Sequence, residues 1–190
     1  MADKKDRGVA QLGSAPASGA GGRWFKSSRP DHFFPWQVGI SGGGTCPASV
    51  ARLAEETGQH LAEAGIVVIT GGLGGVMEAA SRGARAGGGL AVGIVPGHSH
   101  RDANRHVDVV IVTGLGHARN ALVARSSHAL IALPGEHGTL SEIALALKMG
   151  IPVIGLQAWS KIKGVVVTES PQQAVREAIS WARRVHTKPR

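Results

Sequence analysis

With 190 residues, 43% of them hydrophobic, and 28 glycines, the chain is long enough to bury one full core but too short for two comfortable domains. Its single cysteine, Cys46, excludes an internal disulfide framework, and no apolar run reaches membrane-spanning length, so we expect a cytoplasmic protein without a membrane partner. The net charge of +8 permits anion binding, but solubility alone explains a basic composition, and nucleic acid is not the expected partner.

Residues 1–36 differ in composition from the rest of the chain. Gly, Ala and Ser are abundant there and no hydrophobic periodicity appears, which predicts a disordered tail. A second hypothesis is that the reading frame extends upstream through a transfer RNA gene, because Gly8–Gly13 and Trp24–Ser27 back-translate to sequences resembling a D-arm and a T-arm. Synthesis would then start near Val38, and the net charge would fall.

The predicted domain, residues 37–185, alternates short apolar strands, glycine-rich loops and helices, and a basic tail follows at 186–190. The strand Val38–Ser41 precedes a glycine loop, and the strand Ile66–Ile69 precedes another. This alternation predicts a single doubly wound, Rossmann-like α/β domain with a mostly parallel sheet and helices on both faces. In such a sheet the loops share one rim, and glycine lets a phosphate approach the backbone. The predicted phosphate contacts are Gly42, Gly43, Gly44, Thr45, Gly71, Gly72, Gly74 and Gly75.

Two common nucleotide-binding patterns are absent. Gly72–Gly74 begins like GxGxxG, but Met77 occupies the position of the third glycine and no acidic residue closes the next strand. The chain also contains no GxxxxGK[ST] sequence. The sequence therefore favours neither a dinucleotide cofactor nor a P-loop ATPase.

The middle of the chain holds two further strands, Leu90–Val95 and Val107–Val112, joined by a polar segment. His98 and His100 lie in that segment, but no third ligand stands at a recognisable spacing, so we predict a solvated loop and no metal site. A helix after the second strand carries Arg119 in its first turn. Its spacing predicts that the sheet-facing residues are Ala118, Ala121 and Leu122.

A third βαβ unit runs from Ala129 to Leu156. Its first strand ends at Pro134-Gly135, a helix begins near Gly138, and Gly150 ends that helix before the next buried strand. The free N–H groups at the helix N-terminus suit a phosphate. A strand at Val165–Val167 and a helix from Pro171 complete the domain.

The residues Pro134–Glu142, PGEHGTLSE, resemble the PGGxGTxxE motif of the LOG (Lonely Guy) family, often labelled lysine decarboxylase. That family is part of a wider group of Rossmann-like nucleotide-binding proteins that includes molybdenum cofactor carriers. Gly74–Ala84 also resembles the group, so the resemblance covers about residues 38–157. It implies a homo-oligomer, expected to be a dimer, and a ligand loop made of Gly135, Glu136, His137, Gly138 and Thr139.

The match departs from the family at three positions. Glu136 replaces the second glycine of the motif and places a carboxylate in an anion loop. Arg119 matches the arginine of the family's MxxRK motif, but Gly116 stands for the methionine and Asn120 for the lysine. These changes put in doubt the activity that the resemblance implies.

The resemblance implies hydrolysis of the N-glycosidic bond of a nucleoside 5′-monophosphate. Arg119 would hold phosphate or ribose, and Glu142 would stabilise an oxocarbenium-like transition state. Alternatively, Thr139–Glu142 forms a capping box and Glu142 needs no substrate. Since Lys148 near a helix end is the only lysine close to the glycine rims, pyridoxal phosphate chemistry is not expected, and no cofactor is required.

The sequence thus favours a LOG-like protein that binds a nucleotide or another small phosphorylated ligand. Two alternatives stay open: a phosphoribohydrolase that uses Arg119 and Glu142, and a carrier with the molybdenum cofactor as its cargo.

Overall fold

The computed structural model describes residues 36–186. The tail predicted over residues 1–36 lies, apart from Trp36, outside the described residues, and so does nearly all of the basic tail at 186–190. Within the described part, no helix combines the length and the apolar character needed to cross a membrane.

Seven strands and five α-helices alternate along the described chain. The strands are β1 (Gln37–Ser41), β2 (Val67–Thr70), β3 (Ala91–Val95), β4 (Val109–Val112), β5 (Ala129–Ala132), β6 (Val153–Leu156) and β7 (Val165–Thr168). The α-helices are α1 (Ala48–Glu63), α2 (Val76–Ala86), α3 (Asn120–Arg125), α4 (His137–Lys148) and α5 (Pro171–His186). Short 3-10 turns occupy His100–Asp102 and Gly116–Arg119.

All seven strands lie in one parallel sheet with the order β4-β3-β2-β1-β5-β6-β7. The chain moves outward from β1 to β4 and then returns to place β5 on the other side of β1. This arrangement confirms the predicted doubly wound, Rossmann-like α/β fold. Because Ser41 pairs in register with Ala132, the loops that follow β1 and β5 begin level with each other at the point where the strand order reverses, the usual ligand position in such sheets.

Helices cover both faces of the sheet, as predicted. On one face, the buried side chains of β1, including Val38 and Ile40, form a core with α1, α2 and α5. On the other face, Leu130 and Ala132 of β5 form a second cluster with the residues of α3 and α4. All four residues of β5 are fully buried because it is a central strand with helices on both sides.

The prediction that Ala118, Ala121 and Leu122 face the sheet is wrong. Ala118 and Leu122 are exposed and Ala121 is only half-buried, whereas the inward residues of this segment are Val123 and Ala124. The reason is that the segment starts as a 3-10 turn, Gly116–Arg119, which has about three residues per turn. The apolar spacing of an unbroken α-helix therefore gave the wrong face.

Helices α1 and α2 cross with their backbones in close contact. A Cβ atom added at Gly83 would overlap the carbonyl oxygen of Glu55, and one added at Gly58 would overlap the carbonyl oxygen of Ala80. Both glycines are buried at the crossing. Glycine has a low helix propensity, so its presence at these two positions reflects the need for the backbones of α1 and α2 to approach each other closely.

We predict that Gly83→Ala lowers the free energy of unfolding by about 2 kcal/mol, because relieving the overlap requires a shift of one helix and this outweighs the gain in helix propensity. Gly138→Ala is the matched control, since it is also a helical glycine but has open space at the Cβ position. The control should not lose stability. Chemical denaturation of both variants tests this, and an unchanged midpoint for Gly83→Ala would contradict the contact.

Candidate functional site

The loops after β1 and β5 are joined by a backbone contact at the switch point. The N–H of Gly43 donates to the carbonyl oxygen of Pro134 at 3.1 Å. A Cβ at Gly135 would lie 2.9 Å from the nitrogen of Gly43 and would also overlap the hydroxyl of Thr139. Glycine at position 135 is therefore required by this approach. Because its N–H is already used, Gly43 shapes the rim and has no donor left for a ligand.

The glycine loop after β2 supports this rim from behind. The N–H of Val76, at the start of α2, donates to the carbonyl oxygen of Gly43 at 3.0 Å. Gly75 has a φ of 62°, and a Cβ there would overlap the carbonyl group of Gly44. The side-chain amide of Asn104 donates to the carbonyl oxygens of Gly72 and Leu73, at 3.1 and 2.9 Å. The loop after β2 thus holds the glycine loop after β1 in place.

A cavity of about 380 Å³ opens at this rim. It brings together nine of the sequence-predicted site residues: Gly42, Gly43, Gly44, Thr45, Arg119, Glu136, Gly138, Thr139 and Glu142. The other six predicted residues, Gly71, Gly72, Gly74, Gly75, Gly135 and His137, are not among the lining residues. Four residues that were not assigned to the site also line the cavity: Leu73, Met77, His117 and Asn120. Their positions on the turns beside the glycines could have indicated this.

Arg119 and Glu142 form a buried ion pair at the wall of the cavity. One terminal nitrogen of the Arg119 guanidinium donates to Oε1 of Glu142 at 3.1 Å, and both side chains are less than 10% exposed. The guanidinium lies against Gly71, where any side chain would collide with it. Gly71 therefore contributes space for Arg119. The Nε of Arg119 is buried and has no hydrogen-bond partner in the described part of the chain.

Ser41 holds the second oxygen of Glu142. Its hydroxyl, at the C-terminal end of β1, donates to Oε2 of the carboxylate, and both residues are buried. Both oxygens of Glu142 thus accept a hydrogen bond from the protein. Ser41 could not be assigned to the site from sequence, because a serine ending a buried strand is common and its partner lies 101 positions away.

The pKa of Glu142 is raised from its ordinary value because the carboxyl is buried, and the hydrogen bond from Ser41 and the charge of Arg119 offset only part of this effect. Burial lowers the pKa of Arg119 in the same way, with the charge of Glu142 opposing the shift. Burial thus disfavours the charged form of both side chains, and their mutual attraction opposes this effect.

The capping-box interpretation of Thr139–Glu142 is wrong. Helix α4 starts at His137, and Glu136 is the residue before it, so Thr139 already lies within the first turn. Thr139 is therefore a helical residue and not the N-cap that a capping box requires. Glu142 consequently faces the cavity wall and bonds to Ser41 and Arg119.

Asn120 ties the start of α3 to the start of α4. Its side-chain nitrogen donates to the hydroxyl of Ser141 at 2.7 Å and approaches the carbonyl oxygen of Gly138 at 3.4 Å. The hydroxyl of Ser141 in turn donates to the same carbonyl oxygen at 2.7 Å. A neutral amide at this position therefore stabilises the wall and adds no positive charge.

Among the described residues, no group of three or more His, Cys, Asp or Glu side chains could hold a metal ion. His98 lies close to Gly114, and His100 is in the 3-10 turn of the polar segment. The cavity has one histidine in its lining, His117.

The fold and this site define a Rossmann-like α/β protein of the LOG type. A family model described as "LDcluster4: SLOG cluster4 family" matches residues 35–185, and the chain belongs to that family.

Three similar proteins show how far the likeness extends. An uncharacterized protein from Archaeoglobus fulgidus is 46% identical over 144 residues, which cover 76% of this chain and 95% of that protein. A cytokinin riboside 5′-monophosphate phosphoribohydrolase from Mycobacterium tuberculosis is 34% identical over 62% of this chain and 68% of that one. The molybdenum cofactor binding protein from Rippkaea orientalis has 36% identity, a TM-score of 0.72, and coverage of 77% of this chain and 97% of that chain.

We predict opposite effects on stability for the two halves of the ion pair. The raised pKa means that the folded chain holds the Glu142 proton more tightly than the unfolded chain does. The resulting stabilisation is present at acid pH and is lost as the pH rises through the raised pKa. At neutral pH, Glu142→Gln is therefore expected to be at least as stable as the wild type.

Arg119→Met should lower the melting temperature at neutral pH, because it removes the cation that offsets burial of the carboxylate, and should do so less at acid pH, where Glu142 is protonated. Thermal melts across the acid-to-neutral range test both variants. Glu56→Gln, on the exposed surface of α1, is the control for loss of a carboxylate. A large destabilisation of Glu142→Gln at neutral pH would contradict the raised pKa of Glu142.

Proposed function

We propose that this protein binds a small ligand with one phosphate group in the cavity at the switch point and acts as a binding or carrier protein. The main supporting observation is that two loop backbones and the N-terminus of α4 converge on one cavity, with the buried Arg119 in its wall. Its volume of about 380 Å³ lies within the range of small-molecule sites.

The donors for the phosphate are backbone N–H groups. The first-turn residues Gly138 and Thr139 of α4 have no intrahelical acceptor for their N–H groups, and the helix N-terminus carries a partial positive charge. Gly44 and Thr45 also line the cavity, and in this proposal their N–H groups and the hydroxyl of Thr45 are the further donors. In this proposal Gly42 and Gly43 shape the rim of the cavity. The loop that contains Gly71, Gly72, Gly74 and Gly75 holds that rim in place.

The hydrogen bonds of Glu142 favour binding over catalysis. A carboxylate that stabilises a developing cation or orients water must be accessible, but the Glu142 side chain is less than 10% exposed and each of its oxygens already accepts one hydrogen bond, from Ser41 or from Arg119. The charge of the carboxylate is also matched by the adjacent guanidinium. We therefore assign the pair to the architecture of the cavity wall.

A carrier role also agrees with the likeness to the molybdenum cofactor binding protein, which spans nearly all of that chain. A phosphorylated pterin is a ligand of the proposed class, and the molybdenum cofactor would then be cargo and not a resident cofactor.

A nucleoside 5′-monophosphate phosphoribohydrolase is the second candidate. The observation in its favour is that Arg119 and Glu142 line the same cavity, together with the similarity to the phosphoribohydrolase from Mycobacterium tuberculosis. In this mechanism a ligand phosphate would draw Arg119 away from Glu142 and free one carboxylate oxygen for the ribosyl cation.

One set of measurements separates the two candidates. With AMP or GMP as the probe, we expect calorimetry to detect binding and chromatography to detect no free base. Gly138→Asp should weaken binding about tenfold or more, because it places a negative charge beside the phosphate. Ala144→Asp, at an exposed position of the same helix, is the control and should bind normally.

Unchanged affinity for Gly138→Asp would contradict the phosphate position. Release of free base by the wild type, abolished in Glu142→Gln with affinity retained, would establish the hydrolase in place of the binding protein.

We further propose a homo-oligomer, with a dimer as the expected form. Leu115, Leu122 and Leu140 are each more than one-third exposed on the turn before α3, on α3 and on α4, which form one side of the molecule. A second copy would remove this apolar surface from water. We expect Leu122→Glu to lower the mass measured by light scattering, whereas Leu90→Glu, at a more exposed leucine before β3, should not. A monomeric wild type at micromolar concentration would contradict this.

A further inference from the structure

Glu136 is the one charged side chain lining the cavity that has no partner in the described part of the chain. It is exposed, it directly precedes α4, and its carboxylate does not cap the helix. Arg119 and Glu142, the other charged residues of the lining, pair with each other. Counting the formal charges of acidic residues, lysine and arginine alone, the lining therefore carries −1, located on Glu136.

This charge restricts which part of a ligand can lie against Glu136. An ionised carboxylate only accepts hydrogen bonds, and it repels a phosphate. In the proposed arrangement the phosphate lies toward Gly44 and Thr45 and toward the N–H groups of Gly138 and Thr139, which follow Glu136 by two and three residues. The opposite end of the ligand, its ring, belongs against Glu136, where it must present N–H donors.

Ring edges differ in how well they satisfy a carboxylate. Two adjacent donors match its two oxygens in a bidentate arrangement. Guanine and pterins offer such a pair, because both contain a 2-amino-4-oxopyrimidine ring, whose ring N–H lies next to the amino group. Hypoxanthine offers only the ring N–H, and adenine places an acceptor nitrogen beside its amino group.

We propose that Glu136 is a specificity-determining residue that selects ligands with a 2-amino-4-oxo ring edge, as in guanine and pterin monophosphates, over adenine-type ligands. The inference rests on the proposed function, and it adds the chemical class of the ring. Glu136 stands where the LOG motif has its second glycine. This replacement would change which ring is held and would keep the phosphate site.

The test uses GMP, IMP and AMP, which share ribose and phosphate and differ only at the ring edge. Calorimetry on the wild type should give an affinity for GMP about tenfold or more above that for AMP, with IMP between them, as expected for hydrogen bonds to a charged group. In Glu136→Gln and Glu136→Gly, the difference between GMP and AMP should fall to about twofold, because the paired acceptor is lost.

AMP should bind these variants as tightly as it binds the wild type, or more tightly, because a carboxylate has been removed from an anion site. Glu56→Gln, which removes an exposed carboxylate from α1, should keep the preference for GMP.

Two results would overturn the inference in distinguishable ways. Equal affinities for the three nucleotides in the wild type, or a preference for GMP that survives in Glu136→Gly, would exclude Glu136 as the selecting group while leaving the proposed phosphate site intact. No binding of any of the three nucleotides would contradict the proposed function for nucleotides, and the inference with it.

Discussion

The geometry of the cavity depends on one buried contact, in which Glu142 accepts hydrogen bonds from Ser41 and from Arg119. The three residues belong to β1, to the turn before α3 and to α4, so a single carboxylate fixes the relative positions of three elements. The direction of α4 also decides where its first-turn N–H groups point. Shifting this contact would move the proposed anion site, even though none of the three side chains needs to touch the anion.

The same contact places a cost on the folded state. Burial raises the pKa of Glu142 and lowers that of Arg119, so each group is held in an environment that disfavours its charge. Two apolar side chains of similar volume would pack at this place without that cost. A binding site with a defined wall commonly carries such a cost, because charge and hydrogen-bond direction fix a position more narrowly than apolar packing does.

The sequence predicted the fold from local patterns. Short buried strands such as Ala129–Ala132, glycine turns and helical spacing were enough to identify a doubly wound sheet, and the Pro134–Glu142 motif identified the family. The rim loops could be grouped because parallel strands end on one side of a sheet. Sequence alone did not reveal which glycines face the cavity, since Gly71 and Gly43 have the same local pattern but serve a side chain and a neighbouring loop respectively.

The errors have a common physical origin. The start of α4 and the inward face of α3 depend on where a helix begins and whether its first turn is of the 3-10 type. Apolar spacing carries no information on these details; in the 3-10 turn before α3, for example, the guanidinium of Arg119 packs over Gly71. The partner of Glu142 on β1 was missed for the same reason, because it is separated by most of the domain in sequence.

The backbone crossing of α1 and α2 gives the site a mechanical connection to a distant part of the fold. Gly58 and Gly83 leave no side-chain volume between the helices, so a disturbance on either side cannot be absorbed by a change of rotamer. It has to be passed on as movement of the whole helix. Since the first N–H of α2 is bonded to the carbonyl oxygen of Gly43, any such movement of α2 is transmitted directly to the loop after β1.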